Sequence, residues 1–130
     1  MNIENFKLVR EHVSQNNKFD MFRLNHKCGS PGCIMGSAQD IILELRKSNP
    51  SMDVPVYMHP DSYLKVRSTY VQQWLGISDW DFDYILLGNF SKNTIHEIKV
   101  QEAIAYLDLC INRGWVVRGE FEWPHKGDQS

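Results

Sequence analysis

The sequence predicts a mainly α (α+β) fold, a compact bundle of about five helices with a small two-stranded antiparallel sheet. Three observations predict it. Apolar residues recur every three or four positions over Ile34–Leu45 and again over Val100–Ile111, a period of two runs through Val117–Trp123, and a loop rich in cysteine and glycine leads into the first of those helical stripes. At 130 residues, with 42% hydrophobic and 23% charged, the chain has ordinary globular composition and the length of a single domain.

The first helix is expected from Asn2 to Gln15. Ile3, Phe6, Val9 and Val13 fall on one face, Asn2 suits an N-cap, and Asn16-Asn17 tolerates the left-handed conformation that ends helices. Phe19–Leu24, short and aromatic, is expected as a strand or an extended lead-in to the cysteine loop. Ser30 then fits an N-cap and Pro31 the first helical position, which puts Cys33 inside the first turn of a helix carrying Ile34, Ala38, Ile41 and Leu45. Asn49-Pro50 stops that helix, and residues 48–60 read as a surface loop with an extended piece at Val54–Tyr57.

Asp61 is expected to open a third helix running to Leu75, closed by Gly76-Ile77. Ser78 caps a short fourth helix, with Asp79 and Asp81 near its positive end and Gly88-Asn89 at its close. Thr94-x-x-Glu97 has capping-box spacing and is expected to start the last helix, whose stripe is Val100, Ile104, Leu107 and Ile111 and whose stop is Gly114. The alternating Val117–Trp123 is expected to pair with Phe19–Leu24, and the polar tail from about Pro124 to fray.

The order of these segments resembles a diffuse group of uncharacterised small bacterial and phage proteins. The resemblance rests on Cys28-Gly29-Ser30-Pro31-Gly32-Cys33-Ile34-Met35-Gly36-Ser37-Ala38, which matches a Cys-Gly-Thr/Ser…Cys-Ile-x-Gly-x-Ala motif. Trp74-Leu75-Gly76-Ile77, Ile85-Leu86-Leu87 and Ala103-Ile104-Ala105-Tyr106-Leu107 continue it, so that it spans roughly residues 19–113. The chain departs from that pattern at Ser37, where the group often carries an aromatic residue or His. The resemblance implies shared fold and a phage or mobile-element setting; it brings no activity.

Charge and chemistry narrow the functional classes. Lys and Arg number 14 against 16 Asp and Glu, a net −2 that argues against broad nucleic-acid backbone binding. The basic pairs at Arg46-Lys47 and around Lys65-Arg67 read as solvated faces. No run approaches the ~20 apolar residues that span a bilayer. Met1–Asn5 has neither the basic nor the apolar region of a secretory signal, so a cytoplasmic setting with reduced thiols is expected, the host's cytoplasm if the protein is phage-encoded.

Cys33, at a helix N-terminus, is a candidate nucleophile because the helix dipole stabilises a thiolate, although none of the five histidines is singled out as its base. His26-x-Cys28-x4-Cys33 is a candidate zinc trio, with His59 or Cys110 as a fourth ligand, but it lacks the two tight pairs usual in structural zinc sites. A Cys28–Cys33 disulfide and plain core packing are further readings of the same thiols, and Cys110 is assigned to the core. In Ser78–Tyr84 acids alternate with aromatics, yet Tyr84 and Phe90 stand where a calcium loop needs Gly and Glu. The carboxylates are read as capping a helix and facing water, and the sharper reading makes Trp80, Asp81, Asp83 and Tyr84 a face that docks a basic protein surface. The favoured expectation is therefore a small binding or accessory protein without a cofactor. A cysteine-dependent enzyme and a zinc-stabilised module are the alternatives.

Overall fold

The computed structural model describes residues 1–119. Five α-helices and one two-stranded antiparallel sheet run in the order α1 (Ile3–Gln15), α2 (Ile34–Ser48), β1 (Val56–Met58), β2 (Leu64–Val66), α3 (Ser68–Leu75), α4 (Asp79–Leu86), a single 3₁₀ turn at Ile95–Glu97, and α5 (Val100–Arg113). This is the fold class the periodicities predict, with several elements placed differently.

α1 begins as its sequence dictates: the Asn2 side chain accepts the Asn5 amide at 3.0 Å, and Phe6, Val9 and Val13 are buried. Its end does not turn left-handed. Asn16 is extended (φ −86°, ψ 102°), and its side chain donates to the Pro31 carbonyl at 2.9 Å and accepts from the Lys18 amide at 2.9 Å. Tertiary bonding to the cysteine loop replaces the local stop.

Phe19–Leu24 is not a strand but a run of turns and bends that leaves Phe22 exposed. Its backbone is used one strand-width away: Gly32 N donates to Leu24 O at 3.1 Å, Asp20 N to Gly32 O at 2.8 Å, and Asn25 bridges Pro31. Those contacts hold residues 31 and 32 outside a helix, so α2 starts at Ile34 rather than at Pro31. From there it is continuous to Ser48 and lies inward, with Ile34 to Gln39 and Ile42 buried. Ile42 takes the core position expected of Ile41, and Leu45 is exposed.

The sheet is built from other residues than expected. Val56 pairs with Val66, Tyr57 with Lys65 and Met58 with Leu64. The chain reverses between them through Ser62, whose φ of 69° is left-handed, so Asp61 lies in a hairpin turn and α3 starts only at Ser68. The expected partner strand Val117–Trp123 is described only to Gly119, and those residues form no strand. The rest of it, and the tail from Pro124, fall outside the described residues.

α3 and α5 end on left-handed Gly76 and Gly114, as expected, and α4 starts on Ser78, whose hydroxyl accepts the Asp81 amide at 3.2 Å. Thr94 and Glu97 do not form the expected capping box at the start of α5 but close the single 3₁₀ turn: Glu97 N donates to Thr94 O, and Thr94 Oγ1 to Glu97 Oε1, both at 2.8 Å, with no side-chain cap on the Glu97 amide. Ile98 then turns into the core in extended conformation, and α5 starts again after Lys99, which provides no side-chain cap. The buried residues of α5 are Glu102, Ala103, Tyr106, Leu107 and Cys110; of the expected Val100–Ile104–Leu107–Ile111 stripe only Leu107 is fully buried and the other three are half-buried.

α1 packs chiefly on α5 and α2. The core between them joins Phe6, Val9 and Val13 to Ile34, Met35, Ala38 and Ile42 and to Tyr106 and Leu107. Each fully buried aliphatic or aromatic side chain there contributes about 1.5–3 kcal/mol relative to exposure. No described helix is long and apolar enough to cross a membrane.

Candidate functional site

The cysteine loop is a closed turn. His26 N donates to Ser30 O at 2.9 Å, Gly29 N to His26 O at 2.8 Å, and Asn25 Nδ2 to Gly29 O at 3.2 Å. Gly29 carries the positive φ, 91°, that this turn requires. Cys28 stands exposed at the tip, its Sγ 3.1 Å from Ser30 Oγ. Hydrogen bonding to the Ser30 side chain and then its backbone pulls the Cys28 thiol below its ordinary pKa, and Lys18 adds a smaller electrostatic pull.

Cys33 is placed differently from the expectation. It is the N-cap of α2 rather than a residue of the first turn, and its Sγ accepts the Gly36 amide at 3.5 Å. At 1% exposure the thiol is pushed upward by burial, which outweighs the amide hydrogen bonds that favour thiolate. Burial thus opposes the helix dipole at Cys33. The acidified thiol in this loop is Cys28, whose exposure at the turn tip no spacing in the sequence signals.

The zinc trio is dispersed. His26 Nε2 lies 2.7 Å from Lys18 O, Cys28 is at the surface and Cys33 is inside. Among the described residues no three His, Cys, Asp or Glu side chains gather in a way that could hold a metal ion. His59 stacks on Tyr63 with ring centroids 4.5 Å apart, and Cys110 is buried, accepting the Val117 amide at 3.4 Å. All three cysteines are free thiols, so Cys28 and Cys33 are not bridged.

The acid–aromatic segment lies on α4 and divides in two. Asp81 and Tyr84 face the end of the described chain: Asp81 Oδ1 is 3.2 Å from Arg118 Nε, and Tyr84 OH accepts the Gly119 amide at 3.2 Å. Trp80 and Asp83 face away. Phe82 and Ile85 supply the buried side of the helix, which leaves Trp80, Asp83 and Leu87 as a stripe at i, i+3 and i+7, flanked by exposed Asp79. Trp80 is 76% exposed and Leu87 58%, the former the most exposed large apolar side chain among the described residues. Neither side chain makes a hydrogen bond or ring contact among the described residues. Leu87 was missed in the sequence because an apolar residue after Ile85-Leu86 reads as core.

A scan of protein-family models, a search of curated proteins and a search of solved structures each found no match to this chain.

Proposed function

We propose that this protein is a small binding or accessory protein that docks a basic surface of another protein on the outer face of α4. Trp80 is the central anchor, Leu87 extends the apolar contact by two helical turns, and Asp79 and Asp83 supply the charge that selects a basic partner. The observation that carries this reading is the exposure of Trp80, 76%, on a helix whose Phe82 and Ile85 are buried. An exposed Trp flanked by carboxylates has the composition of an interface centre, where aromatic anchors dominate the binding energy and charge sets partner choice. The resemblance of the cysteine segment to phage proteins supports a mobile-element setting, in which the partner would be a host protein.

The test is differential capture. Wild-type protein and the Trp80→Ala and Asp83→Lys variants are immobilised and exposed to the same bacterial lysate, and the affinity of each retained basic protein is then measured for all three. The proposal expects a partner whose affinity falls about tenfold or more in Trp80→Ala, the loss typical of a hot-spot residue, and whose wild-type binding weakens with salt. Retained proteins that bind all three surfaces equally would overturn it.

A further inference from the structure

Beside the N-terminus of α5 lies an open groove of about 1140 Å³, walled on one side by Asn17 and Phe19 from the α1–α2 connection and on the other by the chain from Asn93 to Glu102. In that wall sits Glu102, 4% exposed, the one charged residue in the interior among the described residues. A buried carboxylate is costly unless it is paired with a cation or fully hydrogen-bonded. Here the partner is a neutral amide: Asn93 Nδ2 donates to Glu102 Oε1 at 3.2 Å.

Glu102 forms no ion pair among the described residues, and neither does Lys99, three positions away. The positive end of α5 favours a carboxylate in the first turn and accounts for part of its tolerance there. That does not explain why a buried charge borders open space while a neighbouring lysine is left unpaired. The buried Gln39 makes the contrast: its amide nitrogen and oxygen are both bonded, to Asn25 and Val66.

The geometry points to a site for a small organic cation, a primary ammonium or guanidinium group on a short stem. The charged head lies against Glu102 and takes the unused acceptor capacity of Asn93, and the stem lies against Phe19 and Ile98. Glu97 and Lys99, both in the wall, carry opposite charges, so the negative charge that selects a cation is that of Glu102. The Phe22–His96 ring contact, centroids 4.0 Å apart, ties the two walls together near the groove. This site is independent of the α4 surface, and either reading can fail without the other.

Butylguanidinium and its neutral isostere butylurea, titrated into the full chain by calorimetry, provide the test. The inference expects saturable binding of butylguanidinium and at least tenfold weaker binding of butylurea. Glu102→Gln, which keeps the shape and the hydrogen bond to Asn93, should weaken butylguanidinium about tenfold. Should that variant fold poorly, Asn17→Lys adds a cation at the exposed rim and should weaken binding several-fold without touching a buried group. No saturable binding, equal affinity for the two probes, equal affinity of wild type and both variants, or preferential binding of inorganic phosphate would each overturn the inference.

Discussion

Gln39 Oε1 accepts the Val66 amide at 2.9 Å, so a side chain near the start of α2 completes the backbone bonding of β2. Its Nε2 donates to Asn25 Oδ1 at 3.1 Å, and the residue is 3% exposed. One buried amide therefore holds the cysteine loop, α2 and the sheet in fixed relation. Gln39→Leu, of similar volume, strands a strand amide and an Asn carbonyl oxygen. The expected loss is about 1–3 kcal/mol for a buried orphan, read as a lower midpoint in urea denaturation; an unchanged midpoint would contradict the clamp.

Gly36 lies where α2 crosses the 19–25 segment, and a methyl group added there would collide with the Leu24 carbonyl oxygen. That neighbour is backbone and cannot swing aside. Gly36→Ala gains about 1 kcal/mol of helix propensity but overpacks the crossing, a cost of about 1–3 kcal/mol or more. A net fall in melting temperature is expected. A rise would mean that the crossing is looser than described.

The three thiols should separate by reactivity. Cys28 is exposed and acidified by Ser30, whereas burial raises both Cys33 and Cys110. Iodoacetamide at pH 7 is expected to add one label per native chain, at Cys28, with the other two labelled only on unfolding. Ser30→Ala should slow the Cys28 reaction. Peptide mapping that finds Cys33 labelled as fast as Cys28 would contradict the description of Cys33 as a buried cap.

Alkaline stability follows from the same shifts, together with Tyr106, whose phenol is also raised by burial. Cys33, Cys110 and Tyr106 have folded pKa values above their unfolded ones, so the folded state holds protons that the unfolded chain gives up. Their contribution is fully present below the unfolded values, about 8.5 for a thiol and about 10 for a phenol, and is lost as pH rises beyond them. Urea midpoints should therefore fall from pH 8 upward. Cys33→Ala combined with Cys110→Ala should flatten the drop between pH 8 and 10; a drop of unchanged steepness would assign it to other groups.

What was legible in the sequence was local. Asn2, Ser78, Gly76 and Gly114 act on backbone groups within four residues, so their roles can be read from neighbours alone. The start of α2 could not, because Ser30-Pro31 has the grammar of a helix entry but residues 31 and 32 are committed to Asn25 and Leu24 across the loop. Leu64, Val71 and Leu75 also fit a helical stripe, yet Leu64 belongs to β2, where three-residue strands carry too little alternation to be distinguished. At the candidate sites the limit is exposure. Trp80 and the partly buried Trp74 look alike as text, and only packing separates them, just as only packing places Glu102 inside and Leu87 outside.

The most direct measurement is fluorine NMR on protein carrying 5-fluorotryptophan at its four Trp positions, titrated with the basic partner isolated by differential capture. The resonance assigned to position 80, the one missing from Trp80→Phe, is expected to shift or broaden first and most. Changes confined to the other three tryptophans, with position 80 unmoved at saturation, would contradict the assignment of α4 as the docking face.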